Sequence, residues 1–180
     1  LTSNVLPKHY IVGTVDMKQT GKAYVIVEEG EDIYISHNNT NHALHGDKVK
    51  VYLFPQRKNR KREGQIIEVI ERAKTSFVGV LETHQRYAFV IPDSSFMPVD
   101  IFIPIDCVGK AKNGDKVLAE ITEWPDSANN PFGKIIKVLG KPGDNDVEMQ
   151  SILSEFDFPL FFPEQVEKEA AEIPLQLPQV

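Results

Sequence analysis

Five cations fall within six positions at Arg57, Lys58, Arg60, Lys61 and Arg62. Lysine and arginine at that density can neutralise phosphates and release counterions, so the segment reads as a phosphate-contacting loop for a nucleic acid. The competing reading is a solvated loop tip, or a charged guard against association of the adjacent strands. The chain has 180 residues and a formal charge of −6. Residues 141–180 hold two lysines against nine carboxylates, which leaves residues 1–140 with eighteen cations against seventeen anions. The acidity therefore belongs to the C-terminal stretch, and the run at 57–62 is the strongest electrostatic feature of the rest.

Other residue types that support chemistry are sparse. Hydrolysis of a phosphodiester by metal ions needs several carboxylates converging on Mg²⁺. The nearest candidate is Asp144-Asn145-Asp146-Val147-Glu148, whose spacing fits helix capping and dipole matching better. Cys107 follows an apolar strand with no base beside it, so it reads as a small core residue rather than a nucleophile. His42 and His45 would share a metal only with ligands the sequence does not advertise. His9, His37 and His84 form no set, although His37 follows an outward ring closely enough to stack or to sit in a solvated loop.

The lone cysteine cannot make an internal disulfide, and no apolar run approaches the roughly 18 residues that span a bilayer. These features, with the lack of a secretory leader, predict a cytoplasmic protein with no membrane partner. An opening Leu1-Thr2-Ser3 without Met suggests a piece of a longer protein.

An internal repeat supplies the elements that position the charged run. AYVIV at 23–27 matches AFVIP at 88–92, DIYIS at 32–36 matches DIFIP at 100–104, and HGDKVKVYL at 45–53 matches NGDKVLAEI at 113–121. REGQIIEVI at 62–70 against FGKIIKVLG at 132–140 completes the unit, with block offsets of 65, 68, 68 and 70. Each unit reads as five short strands: 10–17, 22–28, 32–36, 47–54 and 63–71, then 77–83, 86–92, 100–104, 115–123 and 133–139. Gly21, Gly30, Gly46 and Gly64 read as the turns between strands of the first. Five strands in about 60 residues bury their apolar faces only by curling into a barrel. The expected fold is mainly β: two tandem five-stranded OB-fold barrels at 1–74 and 75–140, followed by a helical segment at 141–180. There, Met149, Ile152, Leu153 and Phe156 fall at helical spacing after the capping candidates Asp144 and Asp146. A second short helix is expected from Pro163, carrying Val166, Ala170 and Ile173, before Pro174 and Pro178 break the pattern.

Strand alternation then sorts the side chains. Ala23, Val25, Ile33 and Ile35 point to the core, which turns Lys22, Tyr24, Tyr34 and Ser36 outward. The second unit repeats this with Tyr87, Phe89 and Phe102 outward. Outward rings on adjacent strands make a stacking platform for unpaired bases; they also occur simply as strand formers or as cover for a neighbouring domain. The candidate nucleic-acid-binding set is Lys22, Tyr24, Tyr34, Arg57, Lys58, Arg60, Lys61, Arg62, Tyr87, Phe89 and Phe102.

These strand pairs are similar to the two nucleic-acid-binding motifs of cold-shock domains. The larger unit resembles the N-terminal half of bacterial ribonuclease R enzymes of the ribonuclease II family. The resemblance rests on HGDKVKVYL, REGQIIEVIERAKTSFVG at 62–79, VDIFIP at 99–104, NGDKV, the ITEWP…NPFGKIIKVLGKPGDN stretch at 121–145 and FPEQVEKEAAEIP at 162–174. It implies single-stranded RNA as partner, a processive 3′-to-5′ exoribonuclease as parent enzyme, Mg²⁺ as that enzyme's cofactor, and docking against its catalytic domain. No cofactor is expected for this chain alone, nor any cleavage of RNA by it. The cold-shock pattern Lys-Gly-Phe-Gly-Phe stands here as Thr20-Gly21-Lys22-Ala23-Tyr24 and Gln85-Arg86-Tyr87-Ala88-Phe89, so the first barrel lacks one ring of the pattern. The rival expectation is a protein-interaction or interdomain docking module that makes no RNA contact.

Overall fold

The computed structural model describes residues 10–20 and 22–156. Gly21, His9 and the second helix expected from Pro163 lie outside the described residues. The first five strands are β1 (Tyr10–Met17), β2 (Ala23–Ile26), β3 (Ile33–Ile35), β4 (Lys48–Leu53) and β5 (Glu63–Glu71). They close into a barrel in the order β1-β2-β3-β5-β4, with β3 and β5 parallel and the other pairs antiparallel. The second set, β6 (Ser76–Thr83), β7 (Tyr87–Pro92), β8 (Ile101–Pro104), β9 (Lys116–Glu123) and β10 (Phe132–Gly140), closes in the same way. Two tandem OB-type barrels are what the repeat predicts, because closure leaves no exposed strand edge.

Alternation fills each barrel. Val15, Ala23, Val25, Ile33, Ile35, Val49, Val51 and Ile66 are buried in the first, and Phe77, Leu81, Ala88, Val90, Ile101, Ile103, Val117 and Ala119 in the second. Gly64 corrects one expectation. It lies inside β5 rather than in a turn, opposite Ile35 on the parallel seam. A Cβ there would sit 2.7 Å from the Tyr52 carbonyl oxygen of β4, and one on Gly133 would sit 2.7 Å from the Glu120 oxygen of β9, so the close approach of the antiparallel neighbour in each barrel needs a residue without a side chain.

The repeated His/Asn-Gly-Asp-Lys segment is a loop organiser. His45 Nδ1 accepts the Met17 N–H at 3.1 Å, and Asn113 Oδ1 accepts the Thr83 N–H at 2.9 Å. The following glycines, Gly46 and Gly114, take left-handed backbone at φ 84° and 83°. The aspartates are buried. Asp47 accepts from the N–H groups of Leu44 and Ala73 and from Arg72, and Asp115 accepts from the Lys112 N–H and from Lys141. The Lys141 ammonium, helped by the Lys112 N–H, holds the Asp115 carboxyl below the usual carboxylate range. A carboxyl with a depressed folded-state pKa contributes stability that is present above its unfolded value and lost as pH falls through the folded one. Asp115→Asn is therefore expected to cost about 1–2 kcal/mol near pH 7, because solvent around Lys141 moderates the pair. The gap to the parent should shrink below about pH 4 in thermal melts across pH.

Barrels one and two share a joint. Leu44, from barrel one's β3–β4 connection, is buried in the core of barrel two. The His42 ring stacks on Trp124 at 4.4 Å, Arg72 lies 5.6 Å from the same indole, and His45 stacks on Phe96 at 4.5 Å. Burial lowers the His42 pKa, Arg72 adds to the effect and Asp126 opposes it, which favours the neutral ring in the stack. The two histidines weighed as metal ligands are thus joint residues.

Helix α1 (Asn145–Glu155) follows β10, with Asp144 as N-cap accepting the Asp146 N–H at 2.9 Å. Val147 packs on Val78, Leu118 and Leu139, while Ser151 and Ser154 complete the buried face. The apolar positions that mark the helix in sequence, Met149, Ile152, Leu153 and Phe156, are on its exposed side. Among the described residues no helix is long and apolar enough to cross a membrane.

Candidate nucleic-acid interface

On barrel two the outward side chains of β7 and β8 form one continuous group. Phe89 and Phe102 are cross-strand partners with centroids 5.6 Å apart, and Tyr87 lies 5.7 Å from Phe89 and 6.0 Å from Phe102. Two further rings extend the group. Phe132 opens β10, is bridged to Phe102 across the parallel seam, and its ring stands 5.1 Å away in an edge-to-face arrangement. His84, in the β6–β7 turn, lies 4.8 Å from Tyr87. Neither follows from alternation within one strand. The repeat alignment gave the only signal for Phe132, by placing it on the strand that closes the barrel.

Barrel one carries the same positions with different chemistry. Tyr24 and Tyr34 are cross-strand partners at 5.6 Å, occupying the places of Phe89 and Phe102. By strand register, barrel one has Lys22 and Glu63 where barrel two has Tyr87 and Phe132, so the closing strands correspond at an offset of 69 rather than 70. Ring number falls and charge rises. Lys61 Nζ stands 5.9 Å from the Tyr24 centroid, and Lys22, Tyr24, Tyr34, Asn59, Arg60, Lys61 and Glu63 line a cleft of about 380 Å³.

The β4–β5 loop brings the cations to this cleft. Arg60 N–H bonds the Arg57 carbonyl, closing a turn in which Asn59 takes φ 62°, a left-handed value that asparagine tolerates. Arg57, Lys58, Arg60 and Lys61 are exposed around that turn. Arg62 is different: its guanidinium reaches the Glu31 carbonyl at 3.4 Å and is partly buried. It ties the β2–β3 loop to the barrel. The structure therefore brings Lys22, Tyr24, Tyr34, Arg60 and Lys61 together, groups Tyr87, Phe89 and Phe102 separately, and sets Arg62 apart.

Cys107 packs against the barrel-two core, and His37 is exposed in a short 3₁₀ turn. Among the described residues, no three His, Cys, Asp or Glu side chains converge on a point where they could hold a metal ion. The described residues thus do not fit the Mg²⁺ implied for the parent enzyme.

Comparison with known proteins agrees with this architecture. The model of the ribonuclease B OB domain matches residues 13–69, and that of the cold shock domain matches residues 89–163. Ribonuclease R of Thermotoga maritima is 32% identical over 169 residues, covering 92% of this chain and 24% of its own length. Ribonuclease R of Escherichia coli is 29% identical over 170 residues, covering 94% and 21%. The chain thus spans about a quarter of the length of these relatives. Among solved structures, Mycoplasma genitalium RNase R in complex with ribose-methylated single-stranded RNA superposes with TM-score 0.78 at 16% identity, over 92% of this chain and 27% of that one. A yeast pseudonuclease gives 0.71 at 22% identity, over 83% and 25%. At those identities the superpositions speak for the fold. With the OB and cold-shock models matched in order and the relatives aligned over more than nine-tenths of its length, the chain is similar to the segment of ribonuclease R that carries the OB and cold-shock domains.

Proposed function

We propose that the chain binds single-stranded RNA for a cytoplasmic, ribonuclease R-like 3′-to-5′ exoribonuclease, with hydrolysis carried by a catalytic domain against which it docks. The observation that carries this reading is the repeated placement of rings at Tyr24 and Tyr34 and again at Phe89 and Phe102, on outward positions of adjacent strands. Base stacking on such rings is tolerant of sequence, since every base has a π-face, and suits an enzyme that must accept any RNA. The names of the aligned relatives and the RNA bound to one structural neighbour support the same reading. The division of labour follows from side-chain chemistry. Barrel two grips bases through Tyr87, Phe89, Phe102 and Phe132, whereas barrel one steers phosphates through Lys22, Arg57, Lys58, Arg60 and Lys61 beside two tyrosines. The rival is that these faces dock on protein.

An NMR titration of the aromatic side chains with an unlabelled ribo-oligonucleotide tests the reading. Shifts concentrated on Tyr24, Tyr34, Tyr87, Phe89, Phe102 and Phe132 are expected. A spectrum that does not change at saturating RNA would leave the docking module as the better account.

A further inference from the structure

Barrel one has a second group of rings. Tyr10 and Tyr52 are cross-strand partners on the outer face of β1 and β4, with centroids 6.1 Å apart. Phe54, just past β4, stands 6.1 Å from Tyr52 edge-on, and Lys50 Nζ lies 4.9 Å from the Tyr10 centroid. All four point away from the core, which is filled from the intervening positions Ile11, Val49, Val51 and Leu53. We propose that this face is a second base-stacking subsite, along which single-stranded RNA continues beyond the 57–62 loop. The inference rests on the proposed RNA-binding function and lengthens its path.

Three observations favour RNA as the occupant. First, the face is continuous with the candidate interface. Phe54, Arg57, Arg60, Lys61 and Glu63 line a cleft of about 360 Å³, and Arg60 and Lys61 also line the Tyr24–Tyr34 cleft, so one loop borders both ring groups. Second, the charge is suited to a polyanion. Lys50 and the loop cations outnumber Glu63 and Glu68, the latter being the cross-strand neighbour of Lys50 on β5. Third, the repeat is an internal control. At the register of Tyr10 and Tyr52, barrel two has Ser76 opposite Glu120, and in place of Lys50 it has Leu118, which packs with the cluster that holds α1. The barrel can therefore close without rings at this register. Their presence in barrel one alone, beside the cationic loop, marks a surface that its twin uses differently. Alternating rings and cations along an exposed face are what a single strand requires for stacking and charge neutralisation.

The test compares oligouridines of about 5 and about 15 nucleotides, lengths that bracket the site sizes of OB-fold proteins. Binding of each to the whole chain and to its Tyr10→Ala/Tyr52→Ala variant is followed by fluorescence anisotropy, with folding checked by circular dichroism. The expected result is an unchanged short-oligomer affinity and a loss of about tenfold or more for the long one, from one to two lost stacks. Equal losses of zero for both lengths would overturn the subsite and leave the wider RNA reading in place. Failure of the parent chain to bind either oligomer would instead overturn that wider reading, and the subsite with it. If the variant does not fold, photocross-linking of 5-bromouridine RNA to the unaltered chain decides. Adducts at Tyr10, Tyr52 or Phe54 support the subsite, and adducts only at Tyr24, Tyr34 and the barrel-two rings overturn it.

Discussion

Alanine at Tyr87, Phe89 and Phe102 together is expected to weaken single-stranded RNA binding by about thirtyfold to about twenty-thousandfold. Two bases stacked on these rings at about 1–3 kcal/mol each amount to about 2–6 kcal/mol, which converts to that range. The substitutions leave the barrel closed, because Ala88, Val90, Ile101 and Ile103 supply the core from the opposite face of the same strands. A melting temperature near the parent value and a large rise in Kd are the expected pair of readings. A loss below about threefold in a folded variant would mean that bases do not stack there. Tyr24→Ala/Tyr34→Ala should cost less, since two rings, a lysine and a carboxylate stand where barrel two has four rings.

The second large effect concerns charge. Each phosphate neutralised on a single strand contributes about −0.7 to the slope of log K against log salt. Arg57, Arg60 and Lys61 line the clefts and Lys58 sits at the turn beside them. Replacing these four by alanine is expected to make the slope shallower by about 2, for three lost phosphate contacts. If parent and variant converge near 1 M salt, that slope corresponds to about a hundredfold weaker binding at about 0.1 M. Arg62→Ala alone should act otherwise: it removes the hydrogen bond to the Glu31 carbonyl and is expected to lower stability while leaving the salt slope nearly unchanged. A salt slope unaltered in the fourfold variant would assign the run to solubility.

Much of the architecture is legible in the sequence because the repeat reports four of the five strands of each barrel twice. Alternation within AYVIV and DIYIS also gives the outward direction of Tyr24 and Tyr34 without any structure. What the sequence hides depends on contacts distant along the chain. Gly64 reads as a turn by local preference, but it lies inside β5, where the close approach of Val51 and Tyr52 on β4 leaves no room for a side chain. Phe132 joins the ring platform only through the parallel seam in barrel two. Tyr10 and Tyr52 are 42 positions apart and meet through strand register alone. His42 gives no hint of its partner, since Trp124 belongs to the other barrel. In α1 the periodic apolar positions locate the helix correctly, yet a valine and two serines form the buried face, so periodicity alone misassigns the side that packs.

The central claim is that stacked rings and loop cations together hold single-stranded RNA. Fluorescence anisotropy of a labelled single-stranded RNA, titrated with the unaltered chain at several salt concentrations, tests it most directly. Saturable binding with a slope of about −2 to −3.5, the value for three to five phosphate contacts, is the predicted result. Absence of saturable binding at low salt, or an affinity indifferent to salt, would contradict it.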